Sequence, residues 1–347
     1  MDLDDPDAFG EIDLAGAVGA TLAAPQRWES APGLVGESRL PDGARAVIVA
    51  GMGASGVAGE VAAAAAFDRL DVPVVTVADA TLPAWVGPAT PVIAVSQSGD
   101  TEETLAVARG ALDADARLVA VTAGGALADL AVSQGADLIR VPPGDRSRHA
   151  LGSLAGAVGV YLGLGADIPA TVVSQRTVVG ALGPHAPTAD NPAKQIAAAI
   201  AASTSVHVWS TSRLSAVAAV RLAGQLATDA KLPATTGALP DAAHHEVLGW
   251  HHAEPGQGER GLVVLRDLES ETAPAVAQLG PALELAAPAF SWLTQRAVGA
   301  PGDPPLARLA ALILAVDLVG VYAAIARDVD PTPVTALDHL QAAAAAD

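Results

Sequence analysis

Ser96-Gln97-Ser98-Gly99-Asp100-Thr101-Glu102-Glu103-Thr104 is the stretch on which the folding of this 347-residue chain turns. The apolar run before it, Pro91-Val92-Ile93-Ala94-Val95, has the length of a fully buried strand. After it, Leu105, Ala106, Val107, Ala108 and Leu112 are spaced like one face of a helix. The polar cluster therefore marks the passage from the end of a strand into the first turn of a helix. Unpaired backbone N–H groups and the positive end of the helix dipole meet there. That combination favours an anion, most simply a phosphate. Glu102 and Glu103 suit a first turn in any case, and Ser-Gly-Asp-Thr alone would read as ordinary capping. Three hydroxyls within six residues, Ser96, Ser98 and Thr101, carry the reading to a bound oxyanion.

The same unit occurs just upstream. A strand at 46–50 runs into Gly51-Met52-Gly53-Ala54-Ser55-Gly56, then into an Ala-rich helix over about 57–67. The Gly-x-Gly-x-x-Gly spacing fits a dinucleotide fingerprint, with Asp79 placed to meet a ribose. The hydroxyl of Ser55 and the 96–104 loop favour a smaller phosphate ester. Alternation continues through strands at 74–77, 91–95, 117–122 and 138–141, with helices at 102–113 and 126–133 between them. Such alternation predicts an α/β fold, a parallel sheet flanked by helices, with ligand loops at the strands' carboxyl ends. Pro142-Pro143-Gly144 interrupts the pattern before a helix reaching about 164. A second α/β pattern follows: helices at 172–182, 192–201, 214–230 and 307–327, and strands at 205–210, 261–266 and 282–286. The spacing divides the chain into an N-terminal arm and helix (1–43), a first α/β domain (44–165) and a second (166–347) with a C-terminal helix and tail.

Composition narrows the function classes. Apolar residues make up 51% and aromatics only 3%, enough for a large, closely packed core. The longest apolar stretch, 309–325, contains Asp317 and reads as a buried helix. The N-terminus shows neither a basic nor an apolar leader region, so a cytoplasmic protein is expected. With no cysteine, disulfides and thiolate chemistry are excluded. A net charge of −19 argues against nucleic-acid or anionic-membrane partners. A phosphate ligand must then be held locally, by backbone amides and a few placed cations such as Arg146 and Arg148.

Six stretches, in order, resemble the bifunctional phosphoglucose/phosphomannose isomerases, proteins of two SIS (sugar isomerase) domains. They are Gly51–Gly56, Ser96–Thr104, Arg148-His149-Ala150-Leu151-Gly152, Asn191-Pro192-Ala193-Lys194, His244-His245-Glu246-Val247-Leu248-Gly249-Trp250 and Asp330-Pro331-Thr332-Pro333-Val334. The resemblance implies a homodimer with a hexose 6-phosphate site between subunits, no cofactor and no metal. It assigns the phosphate to Ser55, Ser96, Ser98 and Thr101, with Gly51, Gly53 and Gly99 shaping the substrate loops. Arg148 matches an arginine that steadies an enediolate, and His244 a histidine that helps open the sugar ring.

The chain departs from the family where its base should be. Gln225-Leu226-Ala227-Thr228-Asp229-Ala230-Lys231 matches a Gln-x-x-Glu-x-x-Lys segment, and the Glu position carries Thr228. Threonine has no ionisation near neutral pH and cannot shuttle a proton between C1 and C2. Asp229 is the adjacent carboxylate, but one helical step turns it by about 100°. Glu246, beside His244, is the other candidate. Where many relatives end in a lysine-containing helix, this chain has Asp338-His339-Leu340-Gln341 and then alanines. Two functions follow: an aldose–ketose isomerase of glucose, mannose and fructose 6-phosphates, or a catalytically impaired sugar-phosphate sensor. The substitution predicts binding of fructose 6-phosphate with slow or no isomerisation. His244, His245, His251 and His252 invite a metal reading, but Gly249 and Pro240 favour a loop with tolerated histidines.

Overall fold

The computed structural model describes residues 1–253 and 258–344. Helices α1 (Ala17–Leu22) and α2 (Ala24–Val35) lead into β1 (Val47–Ala50), α3 (Ala54–Ala66), β2 (Val74–Val77), β3 (Val92–Ser96), α4 (Glu102–Asp113), β4 (Leu118–Thr122), α5 (Gly125–Gln134) and β5 (Asp137–Arg140). All five strands are parallel, in the order β2-β1-β3-β4-β5. Strands β1, β3 and β4 are buried at every position, which is why they appear in the sequence as unbroken Val/Ile/Ala runs. The chain builds outward from β1 in one direction and from β3 in the other. Their carboxyl ends therefore border the crevice where such sheets take ligands.

The second half repeats the plan. Helices α6 (Leu151–Tyr161), α7 (Ile168–Leu182) and α8 (Pro192–Ala201) precede β6 (Ser205–Ser210), α9 (Arg213–Thr228), β7 (Ala234–Ala238), α10 (Glu246–His252), β8 (Arg260–Arg266), α11 (Ala273–Ala286), β9 (Trp292–Ala297), α12 (Pro305–Ala326) and α13 (Thr335–Ala344). The four-stranded sheet is again parallel, in the order β7-β6-β8-β9. One continuous apolar core joins the two sheets, through α3 and α6 on one side and α7, α8, α9 and α12 on the other. Helix α12 is long and apolar enough to cross a membrane, yet 94% of its apolar window is buried inside the protein.

Several sequence expectations change. The run at 282–286 is no strand but the last turn of α11. Its buried residues Ala275, Leu279, Ala282 and Ala286 recur at helical spacing, and the Thr272 side chain caps the start. Strands β7 and β9 went unpredicted because both are partly exposed edges without an apolar run. The N-terminal arm holds a full second helix, α2, with Trp28 buried against α6. The segment carrying Glu246 and the later histidines forms the short helix α10, despite Gly249.

Candidate functional site

Strand β1 and strand β3 deliver their loops to one cavity of about 1110 Å³. Its floor is the start of α3, with Met52, Gly53 and Ser55. One wall is the 96–101 loop and the opposite wall is α9, from Val220 to Thr228. Neither α3 nor α4 has a side-chain cap at its N-terminus. In α4 the N–H groups of Glu102, Glu103 and Thr104 stay free for an anion, whereas in α3 Ser55 and Gly56 donate theirs to the Met52 carbonyl at 3.1 and 3.3 Å and leave that of Ala54.

Within the 96–101 loop the hydroxyls divide their work. Ser96 is buried, lies 2.9 Å from the Thr101 hydroxyl and accepts the Gly99 N–H at 3.1 Å. It ties the loop to itself. Ser98 is exposed, accepts only the Asp100 N–H at 3.2 Å among the described residues' backbone donors, and faces the cavity together with Thr101. Gly99 has φ +81°, and a Cβ there would stand 1.8 Å from the Gly124 carbonyl oxygen. Only glycine lets this loop sit against the neighbouring β4–α5 turn. Gly51 is similarly confined, since a Cβ would approach the Val95 carbonyl to 2.8 Å.

Arg148 enters the cavity from the stretch before α6. One terminal nitrogen donates to the carbonyls of Pro331 (3.0 Å) and Thr332 (2.8 Å). Its Nε stands 3.2 Å from Asp229 Oδ1, an ion pair by distance whose N–H is not aligned as a hydrogen bond. Burial pulls the Arg148 pKa down and Asp229 partly offsets that. Behind it, Arg221 grips the Arg148 carbonyl at 2.6 Å and the Asp317 carboxylate at 2.6 and 3.0 Å. The C-terminal stretch is thereby strapped over the site, and Lys231 adds bonds to the carbonyls of Thr228 and Pro333. Val334 and Leu337 complete the rim.

Thr228 lines the cavity at the end of α9, with its hydroxyl given to the Gly224 carbonyl at 2.9 Å. Asp229 faces away. It is fully buried, held by Gln225 (3.1 Å) and Arg148, and desolvation lifts its pKa to about 6 against the pull of Arg148 and Arg221. Glu246 is nowhere near: its carboxylate binds His207 Nε2 at 2.8 Å and the Trp209 indole N–H at 3.0 Å on the second sheet. His244 is exposed and stands outside this cavity's lining. The structure thus brings together Ser55, Ser96, Ser98, Thr101, Arg148 and Thr228, with Gly53 beside them, and leaves His244, Glu246 and the Asp229 carboxylate outside. Asp79, the dinucleotide candidate, is spent on its own turn, accepting from the Ala80 N–H. Among the described residues no group of three or more histidines or carboxylates is placed to hold a metal.

Sequence reasoning missed Arg221 and Glu60. Glu60 lines the cavity from α3, half-buried, and desolvation raises its pKa. A signal was available: it is the one charged residue between Met52 and Phe67 in an otherwise small and apolar stretch.

Two parallel, helix-flanked sheets, the first carrying both hydroxyl- and glycine-rich loops, define a protein of two SIS domains. The SIS domain profile matches residues 43–135, and that of the bacterial phospho-glucose isomerase C-terminal SIS domain matches 189–343. A bifunctional phosphoglucose/phosphomannose isomerase of Caldicellulosiruptor bescii is 30% identical over 302 residues, 85% of this chain and 88% of that protein. The chain belongs to the bifunctional phosphoglucose/phosphomannose isomerase family. Among solved structures, a hypothetical protein of Thermus thermophilus superposes with a TM-score of 0.70 at 17% identity, over 95% of this chain and 90% of that one. A glucose-6-phosphate isomerase like protein of the same organism gives 0.61 at 20% identity, over 99% of each. At those identities the two structures speak for the fold.

Proposed function

We propose that the chain binds a hexose 6-phosphate in the cavity between α3, the 96–101 loop and α9, and interconverts its aldose and ketose forms. The observation that carries this is the convergence of Ser55, Ser98, Thr101 and the uncapped start of α4 on one cavity, with the Arg148 guanidinium in the same space. The phosphate takes the hydroxyls and backbone N–H groups. The sugar chain then extends toward Arg148, whose positive charge suits the negative oxygen of an enediolate. Ring opening needs an acid–base group, and an exposed His244 outside its own cavity fits a homodimer in which the partner subunit's His244 closes the site.

A second reading, a sugar-phosphate sensor without turnover, is favoured by one observation: Thr228, the residue that the resemblance sets at the base's position, lines the cavity with a side chain that does not ionise near neutral pH. Calorimetry with fructose 6-phosphate, joined to a coupled assay of its conversion to glucose 6-phosphate, separates the two. The isomerase reading expects binding with turnover, however slow, and a rise in Thr228→Glu. Binding with no turnover in either protein would leave the sensor.

A further inference from the structure

We propose that Glu60 carries the proton between C1 and C2 in this chain, in place of the carboxylate absent at 228. The inference rests on the hexose 6-phosphate reading above and asks which group completes its chemistry. Every other candidate is accounted for. Thr228 has no usable ionisation. Asp229 is buried and committed to Gln225 and Arg148, and Glu246 is held by His207 and Trp209 on the other sheet. Among the cavity's other carboxylates, Asp145 is clamped by Arg27 at 2.6 and 2.7 Å, and Glu103 is exposed in the first turn of α4.

Glu60 differs from all of these. It sits on the second turn of α3, six residues or about 9 Å along the helix axis from Ala54 at its start, on the wall where α3 meets α9. Val57 on its own helix and Val220 and Gly224 on α9 line the same space, a mostly apolar surround. Among the described residues no hydrogen bond or ion pair reaches its carboxylate. An unpaired carboxylate in a partly dry wall is unfavourable for the fold, and burial lifts its pKa toward the range where a general base works well.

In the step assigned to it, the Glu60 carboxylate takes the proton from C2 of the open-chain aldose. The C–H electron pair forms the C1=C2 bond, and the C1 carbonyl pair moves onto O1 beside Arg148. After a proton passes from O2 to O1, the O2 pair forms the C2 carbonyl and Glu60 returns its proton to C1. The carboxylate ends as it began.

The test compares wild type with Glu60→Gln for deuterium uptake at C2 of glucose 6-phosphate in deuterated water, for fructose 6-phosphate affinity and for melting temperature. Expected are exchange in wild type, a loss on the order of 10²–10⁴ in Glu60→Gln with affinity unchanged, and restored exchange when Thr228→Glu is added to Glu60→Gln. Should Glu60→Gln fail to fold, Glu60→Asp, one methylene shorter, is expected to bind fructose 6-phosphate and lose exchange. Undiminished exchange in whichever variant folds overturns the role of Glu60 and leaves the isomerase reading standing. A wild type that binds fructose 6-phosphate without exchange overturns both, and so does one that does not bind it.

Discussion

Replacing Gly99 with alanine tests the phosphate loop at its tightest point. The backbone there has φ +81°, a left-handed conformation that costs an L-residue about 1–2 kcal/mol. Strain is the smaller part. The new Cβ would stand 1.8 Å from the Gly124 carbonyl oxygen and 2.9 Å from the Thr122 hydroxyl, so the 96–101 loop and the β4–α5 turn must separate. That separation strains the bonds joining them: Ala123 N–H to Gln97 O (3.2 Å), Leu127 N–H to Gly99 O (2.9 Å) and Ala126 N–H to Asp100 Oδ1 (2.9 Å). At about 0.5–1.5 kcal/mol each, their loss with the strain gives a destabilisation of about 3–6 kcal/mol. Urea unfolding of Gly99→Ala against wild type measures it, and calorimetry with fructose 6-phosphate reads the loop's function. A destabilisation below about 1 kcal/mol with unchanged affinity would refute the reasoning, because the contact would then be one that the loop relieves at no cost.

Three further outcomes are expected. Ser98→Ala should weaken hexose 6-phosphate binding by about 1–3 kcal/mol, since a charged acceptor loses a hydrogen bond; equal calorimetric affinities would place the phosphate elsewhere. Asp229, lifted from 3.8 to about 6, binds its proton more tightly folded than unfolded, so its contribution is full below about pH 4 and is lost as pH rises through about 6. Asp229→Asn should therefore gain on wild type by up to about 3 kcal/mol between pH 4 and 7, measured as the difference in unfolding free energy; a difference constant with pH would contradict it. Arg221→Ala should cost about 3–5 kcal/mol by stranding the buried Asp317, whereas Arg221→Met with Asp317→Leu should recover most of it, as urea midpoints will tell.

Much of the architecture was legible in the sequence, because periodicity reports the burial of a segment's own residues. The bounds of α4, α8 and β6 match their expected limits, since each is a regular run closed by clear signals: Thr101 before α4, and Asn191 with Pro192 opening α8. The parallel character of the first sheet followed from alternation, and the cluster of hydroxyls in the 96–101 loop from three residues within six. Edge strands β7 and β9 were hidden because their pairing depends on β6 and β8, not on any pattern of their own. The carboxylates' placement was hidden for the same reason. One helical step turned Asp229 from the cavity into the core, where Arg148 and Gln225, distant and near in sequence, hold it. Glu246 was taken by His207 and Trp209 once α10 packed on the second sheet. Glu60 reached the cavity because α3 packs against α9, some 150 residues further along the chain. Periodicity and composition alone told which segments are buried and at which strand-to-helix passages hydroxyls and glycines gather. Which carboxylates line the cavity was decided only when distant helices packed together, because side-chain direction at a shared wall is set by both partners.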